Sequence, residues 1–212
     1  MNKREEEKLA KERARLEAMR VYEREYDGKY ICGIDEVGRG PLAGPVVAGA
    51  VILPKDCELL WVNDSKKLSQ KKREALYEEI MEKAVATGIG MVSPARIDEI
   101  NILQATYEAM RMAIGQLKVR PEVLLNDAVT IPEVDIFQVP IIKGDEKSVS
   151  IAAASIIAKV TRDRLMVEYD SVISGYDFAS NKGYGTKAHI AGLRELGPSP
   201  IHRRTFIRKY VV

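Results

Sequence analysis

The sequence predicts an α/β fold, a mixed central sheet flanked by helices in one layered body. Two observations carry that expectation. Strand-length apolar runs come first, and such runs then alternate with amphipathic helical stretches, the order expected when helices cover a sheet. One run, Pro45-Val46-Val47-Ala48-Gly49-Ala50-Val51-Ile52-Leu53, is apolar throughout, as in a strand buried on both faces. A chain of 212 residues gives such a body a sizeable core and leaves length for an appendage.

Residues 1–27 are dense in charge, with a thin apolar set of Leu9, Leu16, Met19 and Val21. A helix with a narrow buried stripe is expected there, as a solvated extension. Residues 31–34 and 46–53 read as successive strands joined by a glycine-rich turn, and Pro54 ends the second. The polar loop Asn63-Asp64-Ser65-Lys66-Lys67-Leu68-Ser69 closes on Ser69, the N-cap of a helix carrying Leu76, Ile80 and Ala84 at four-residue spacing. Residues 87–92 form a short strand stopped by Ser93-Pro94. Asp98 is expected to cap the next helix, whose apolar positions Ile100, Leu103, Tyr107, Met110, Ile114 and Leu117 step by three and four. Residues 123–127 and 139–145 are apolar runs that each end in an acid. The longest core helix spans 148–169 and opens on Ile151-Ala152-Ala153-Ala154-Ser155, small enough to pack closely on a sheet. A short helix over 187–196 precedes Pro198 and Pro200. The organisation expected is a charged helical extension over 1–28, a core over 29–186, and a helical, basic tail over 187–212 packed on that core.

A hydrophobic share of 46% and a charged share of 30% describe an ordinary soluble protein. The net charge is only +2, so bulk charge argues for no nucleic-acid partner and any basic surface must come from local clustering. No apolar run reaches transmembrane length, and the N-terminus is too charged for a secretory segment. Cys32 and Cys57 make no disulfide framework, and Cys32, inside an apolar strand, reads as a buried inert thiol. A cytoplasmic monomer with no membrane partner is expected.

The chemistry centres on Asp35-Glu36-Val37-Gly38-Arg39-Gly40. Adjacent carboxylates repel, and a hard cation such as Mg²⁺ or Mn²⁺ between them reverses that cost. Three strand-like runs lead into acids, Asp35-Glu36, Asp127 and Asp145. If those strands are neighbours, four carboxylates share one site, and two divalent ions there would suit phosphodiester hydrolysis. Gly38 and Gly40 let the backbone approach a ligand, and Arg39 presents a fork that matches phosphate. Lys66 and Lys67 lie in a loop where a nucleic acid would need them, whereas Lys71, Lys72 and Arg73 read as a solvated helix face. Lys182, Lys187, Arg203, Arg204, Arg208 and Lys209 make the tail basic, suited to phosphate contacts that do not read sequence. Tyr184, between two glycines, is placed either to stack on a sugar or base or to fill a surface gap. His189 and His202 have no cysteines at zinc spacing and no nucleophile elbow, and read as surface or hydrogen-bonding histidines.

These motifs, taken in order, resemble the ribonuclease HII family, the type 2 ribonucleases H of bacteria. The resemblance runs from about Tyr30 to Phe206 and rests on Gly33-Ile34-Asp35-Glu36-Val37-Gly38-Arg39-Gly40-Pro41, Asp64-Ser65-Lys66-Lys67-Leu68, Ile100-Asn101-Ile102-Leu103, Lys143-Gly144-Asp145, residues 151–163, Lys182-Gly183-Tyr184 and His202-Arg203-Arg204. It implies a ribonuclease H-like fold with a C-terminal helical extension. It also implies endonucleolytic cleavage of RNA in RNA–DNA hybrids and at single ribonucleotides in duplex DNA, leaving 3′-hydroxyl and 5′-phosphate ends. By the same resemblance Asp35, Glu36, Asp127 and Asp145 bind two Mg²⁺ or Mn²⁺ ions. Gly38, Arg39 and Gly40 meet the ribose 2′-hydroxyl, and Tyr184 senses the RNA–DNA junction. The chain departs from the family at Ala128, often a glycine, and at Gly185, commonly a proline; both bear on loop geometry. A relative that binds hybrids without cutting would be free to lose acids, and a small-substrate phosphatase would need neither the basic tail nor Tyr184. An endonuclease is the expectation.

Overall fold

The structure is a computed structural model that describes residues 2–211. In chain order it contains α1 (Lys3–Ala18), α2 (Val21–Glu25), β1 (Ile31–Val37), β2 (Val46–Ile52), a 3-10 turn (Ser65–Lys67), α3 (Gln70–Lys83), β3 (Ala86–Val92) and α4 (Pro94–Gly115). There follow β4 (Val123–Asp127), β5 (Phe137–Ile141), α5 (Gly144–Lys147), α6 (Val149–Val172), α7 (Phe178–Asn181), α8 (Lys187–Leu196) and α9 (Arg204–Ile207). The five strands form one mixed sheet in the order β3-β2-β1-β4-β5. The chain runs antiparallel across β1, β2 and β3, and parallel across β1, β4 and β5. The α/β class expected from the sequence is the class found.

β2 is buried along its whole length because helices cover both faces of the sheet. On one side α4 packs Ala105, Ala109 and Met110 over Ala48, Ala50 and Val92. On the other α6 lays Ala153, Ala154 and Ile157 over Val51, with Leu76 and Ile80 of α3 beyond. The small-residue run of α6 serves a close approach: a Cβ on Gly33 of β1 would lie 2.1 Å from the Ser150 carbonyl carbon. Such a contact forbids any side chain there, so glycine sets the helix-to-sheet distance.

Three local expectations change in the folded chain. The segment before Gly28 is two helices and is docked rather than solvated over its second half, because Leu16 and Met19 join the core beside Leu59 and Val62. The buried Glu12 carboxylate accepts the Trp61 amide at 2.7 Å, and Glu23 accepts the Ser148 hydroxyl at 2.6 Å. α4 starts at Ser93, whose hydroxyl accepts the Arg96 amide, and it kinks at Asn101, which has a left-handed φ of 68°. The Asn101 side chain accepts the Leu103 and Gln104 amides, restarting the helix as a second N-cap. Asp98 caps a different helix, accepting the Arg204 and Thr205 amides at the start of α9. Finally, β5 ends at Ile141: Lys143 turns left-handed and the chain coils into α5, so Asp145 sits on a helical turn rather than at a strand end.

Candidate active site

β1 lies between β2 and β4, but its neighbours stop at different heights. Pairing with β2 continues to Val37, whereas pairing with β4 stops at Ile34 opposite Asn126. Asp35 and Glu36 therefore stand beside the point where β4 gives out, and Asp127 is the last residue of β4. Asp145 arrives from the neighbouring β5 through α5, and Asp127 ties the two together by accepting the Gly144 amide at 2.7 Å. Parallel adjacency of β1, β4 and β5 thus brings the four acids to one end of the sheet. In the sequence the first pair seemed to end its strand; in the fold it lies inside a longer one, because β2 extends the pairing.

The electrostatics confirm that the acids feel one another. Burial raises the Asp35 carboxyl well above its usual range, with repulsion from Glu36 and Asp127 adding to it. A hydrogen bond from Ser155 opposes the rise, and the Ser155 hydroxyl also meets Ser65 at 2.9 Å. Burial likewise raises Glu36, opposed by the Arg39 guanidinium 3.3 Å away. Asp145 is pushed up to about 6 by burial and by the Asp64 and Asp127 carboxylates. Asp64 is thus a fifth acid at the rim, one that the sequence reading did not single out. Its visible signal was the N-cap spacing of Asp64 to Lys66, whose amide it accepts at 2.9 Å.

An all-carboxylate donor set fits a hard divalent cation, and uncompensated repulsion is what such an ion relieves. Among the described residues no three acidic or imidazole groups stand close enough to enclose an ion as arranged here.

Around the acids the basic residues divide into two kinds. Desolvation lowers the Lys66 ammonium, but Asp64, Asp35, Asp145 and Asp127 outweigh it and raise it, so Lys66 faces the acids. Lys67 instead pairs with Glu146 at 2.8 Å. Arg73 is not on a solvated face: it donates to the Ser65 and Leu68 carbonyls and braces the loop that carries Lys66. Lys71 and Lys72 are exposed.

Arg203 is the largest departure from the basic-tail expectation. Its side chain is fully buried, and its guanidinium donates to the Gly44 carbonyl at 3.0 Å, the Arg39 carbonyl at 2.8 Å and the Gly38 carbonyl at 2.5 Å. Arg162, also buried, donates to the Pro45, Ala43 and Lys182 carbonyls. Neither guanidinium is free for phosphate: Arg203 holds the Gly38–Gly40 turn by its Gly38 and Arg39 carbonyls, and Arg162 holds residues 43 and 45 just after it while packing beside Gly38. Gly38 holds a φ of +91°, and a Cβ there would lie 2.3 Å from Arg162 Nε. Only glycine satisfies both demands. The turn is in turn next to Tyr184, since a Cβ on Gly40 would lie 3.9 Å from Tyr184 Cε1. Arg39 and Tyr184 are both exposed at this edge.

Comparison with known proteins identifies the family. The family model "Ribonuclease HII" matches residues 32–209. The chain is 74% identical over 203 residues to the ribonuclease HII of Lachnoclostridium phytofermentans, an alignment covering 95% of this chain and 80% of the relative. Among solved structures it resembles the ribonuclease HII in the PCNA:RNase HII complex from Archaeoglobus fulgidus, with a TM-score of 0.70 and 30% identity over 82% of this chain and 94% of that one. Its fold is also that of Bst-RNase HIII in complex with Mn²⁺, with a TM-score of 0.60 and 19% identity over 84% of this chain and 66% of that one. The fold, the ordered motifs and these similarities place the chain in the ribonuclease HII family, and it is accordingly a ribonuclease H, a nuclease of RNA–DNA hybrids.

Proposed function

We propose that the chain cuts RNA endonucleolytically both in long RNA–DNA hybrids and at single ribonucleotides embedded in duplex DNA, using two Mg²⁺ or Mn²⁺ ions. The observation that carries this reading is the convergence of Asp35, Glu36, Asp127 and Asp145 at the sheet end beside the Gly38–Gly40 turn and Tyr184. Asp35, Glu36, Asp127 and Asp145 would hold the ions, which would supply an activated water and charge stabilisation for the leaving oxygen. Lys66 and Lys67 take phosphates of the duplex, and Arg39 exchanges its contact with Glu36 for another phosphate.

Discrimination rests on a different pair of elements. The base is the same in DNA and RNA, so the 2′-hydroxyl is the local difference to be read. The Gly38–Gly40 turn presents main-chain groups to that hydroxyl without a side chain in the way. The Tyr184 ring, beside Gly40, packs on the neighbouring deoxyribose, where a ribose would crowd it. The products carry 3′-hydroxyl and 5′-phosphate ends.

One gel assay tests the reading: an all-DNA duplex, a long hybrid and a duplex with one ribonucleotide, each with Mg²⁺, Mn²⁺ or chelator. Cleavage of the last two only, and only with metal, is expected. A single-ribonucleotide duplex left uncut under conditions that cleave the hybrid overturns the proposed embedded-ribonucleotide activity.

A further inference from the structure

His189 and His202 lie outside the acid site, yet both rings are buried, at 0% and 2% exposure, and both are fully engaged. Their hydrogen bonds have only one consistent direction. The Ser199 amide donates to His202 Nδ1 at 2.9 Å, so that nitrogen carries no proton, and the Ser199 hydroxyl lies 2.7 Å from it. His202 therefore holds its proton on Nε2, which faces His189 Nε2 at 2.9 Å. His189 Nε2 must accept, leaving His189 Nδ1 to donate to the Tyr184 carbonyl at 2.8 Å. Burial lowers both imidazoles, His202 to about 4, so the neutral arrangement holds at neutral pH.

The same segment reaches the Gly38–Gly40 turn. The Arg203 amide donates to the Leu42 carbonyl at 2.9 Å, and the Leu42 amide donates to the Gly183 carbonyl at 2.8 Å. Adjacent residues thus grip two different elements: His202, through His189, holds the Tyr184 main chain, and Arg203 holds the turn. Locally the Tyr184 amide donates to the Asn181 carbonyl at 2.9 Å and its carbonyl accepts the Thr186 amide at 2.8 Å; the His189 ring adds the tie from this local turn to the C-terminal segment.

We propose that His189 and His202 are positioning residues of the ribonucleotide-selecting site, a tautomer-locked imidazole pair that sets Tyr184 against Gly40. The inference rests on Tyr184 as the junction reader. Neither histidine touches the substrate.

The test compares kcat/KM on the single-ribonucleotide duplex with kcat/KM on the long hybrid, as a ratio, for His189→Gln, His189→Asn and Tyr184→Ala. Glutamine reproduces the Nε2 position and loses the donor to Tyr184; asparagine keeps a donor near the Nδ1 position. His189→Gln should lower the ratio about tenfold, the scale of one neutral hydrogen bond, and His189→Asn should restore most of it. A ratio unmoved by His189→Gln but lowered by Tyr184→Ala overturns the positioning role and leaves Tyr184 standing. A ratio unmoved by Tyr184→Ala overturns both. Where the glutamine variant does not fold, ¹⁵N spectra of the histidines in the unaltered protein decide. Neutral rings at pH 7, protonated at His202 Nε2 and His189 Nδ1, are expected; a charged ring or the opposite tautomer refutes the pair.

Discussion

Replacing Asp145 with asparagine should destroy cleavage and, in chelator, make the protein more stable. Burial and the Asp64 and Asp127 carboxylates raise Asp145 from 3.8 to about 6. That difference corresponds to about 3 kcal/mol by which the folded state disfavours the ionised group. Burial is the largest cause of that rise, and discounting the whole for partial solvent screening leaves about 1–2 kcal/mol at pH 7. For a chain of this size that is roughly 3–6 °C in Tm. The sign follows from the raised folded value. Above pH 6 the group is ionised in both states and the folded state bears the full cost of burial and repulsion. As pH falls from 6 towards 3.8 the folded protein takes up the proton first, and the penalty disappears. The advantage of Asp145→Asn over the unaltered chain should therefore be full at pH 7 and small at pH 4. Mg²⁺ should act oppositely, raising the Tm of the unaltered chain more than that of the variant, which lacks a charged ligand. Thermal unfolding of both proteins at the two pH values, with chelator and with Mg²⁺, measures all of this. A variant no more stable than its parent at pH 7 in chelator, or equally favoured at pH 4, refutes the argument from burial and repulsion.

Asp35→Asn should abolish hybrid cleavage while the circular-dichroism spectrum stays native, since the amide oxygen can still accept the Glu36 amide; substantial Mg²⁺-dependent cleavage would reject the four-acid site. Lys66→Ala should weaken substrate binding more than the chemical step and flatten the log–log salt dependence by about 0.9 on B-form duplex. Lys67→Ala should flatten it less, because Lys67 is shared with Glu146; equal slopes for the two variants would contradict that ordering. Ala128 has a left-handed φ of 57° right after Asp127, so Ala128→Gly should relieve strain and add about 0.5–1 kcal/mol in urea unfolding. A loss of stability would mean the loop prefers alanine.

The parts of the fold legible in the sequence are those fixed by short-range pattern. The unbroken apolar run at 46–53 can only be a strand covered on both faces, and it is. Ser69 reads as an N-cap and accepts the Lys72 amide as one. What the sequence concealed is held by partners far along the chain. Arg162 and Arg203 carry charge, and charge in a sequence reads as surface; their burial makes sense only when the carbonyls of residues 38–45 are seen beside them. Asp98 has the spacing of a local cap, yet serves a helix more than 100 positions later. The site divides the same way. Asp35, Glu36, Asp127 and Asp145 stood out because acids punctuate apolar runs, whereas Asp64 is legible only as a cap, and Ser155 and the histidine pair show themselves only through the groups that face them.

The Gly38–Gly40 turn is held by an arginine 165 positions downstream of Gly38. Protein synthesis is directional, so every acid of the site has been made long before that brace exists. A nascent chain ending at residue 186 has its sheet residues and its four carboxylates but no Arg203, His189 or His202. Its Gly38–Gly40 turn lacks the Arg203 hydrogen bonds to the Gly38 and Arg39 carbonyls, and long-range closures of this kind form late. A chain cut short before residue 187 should therefore keep the four acids and lose the Arg203 brace on the turn, and weaker cleavage of hybrids than by the 212-residue chain is expected of it.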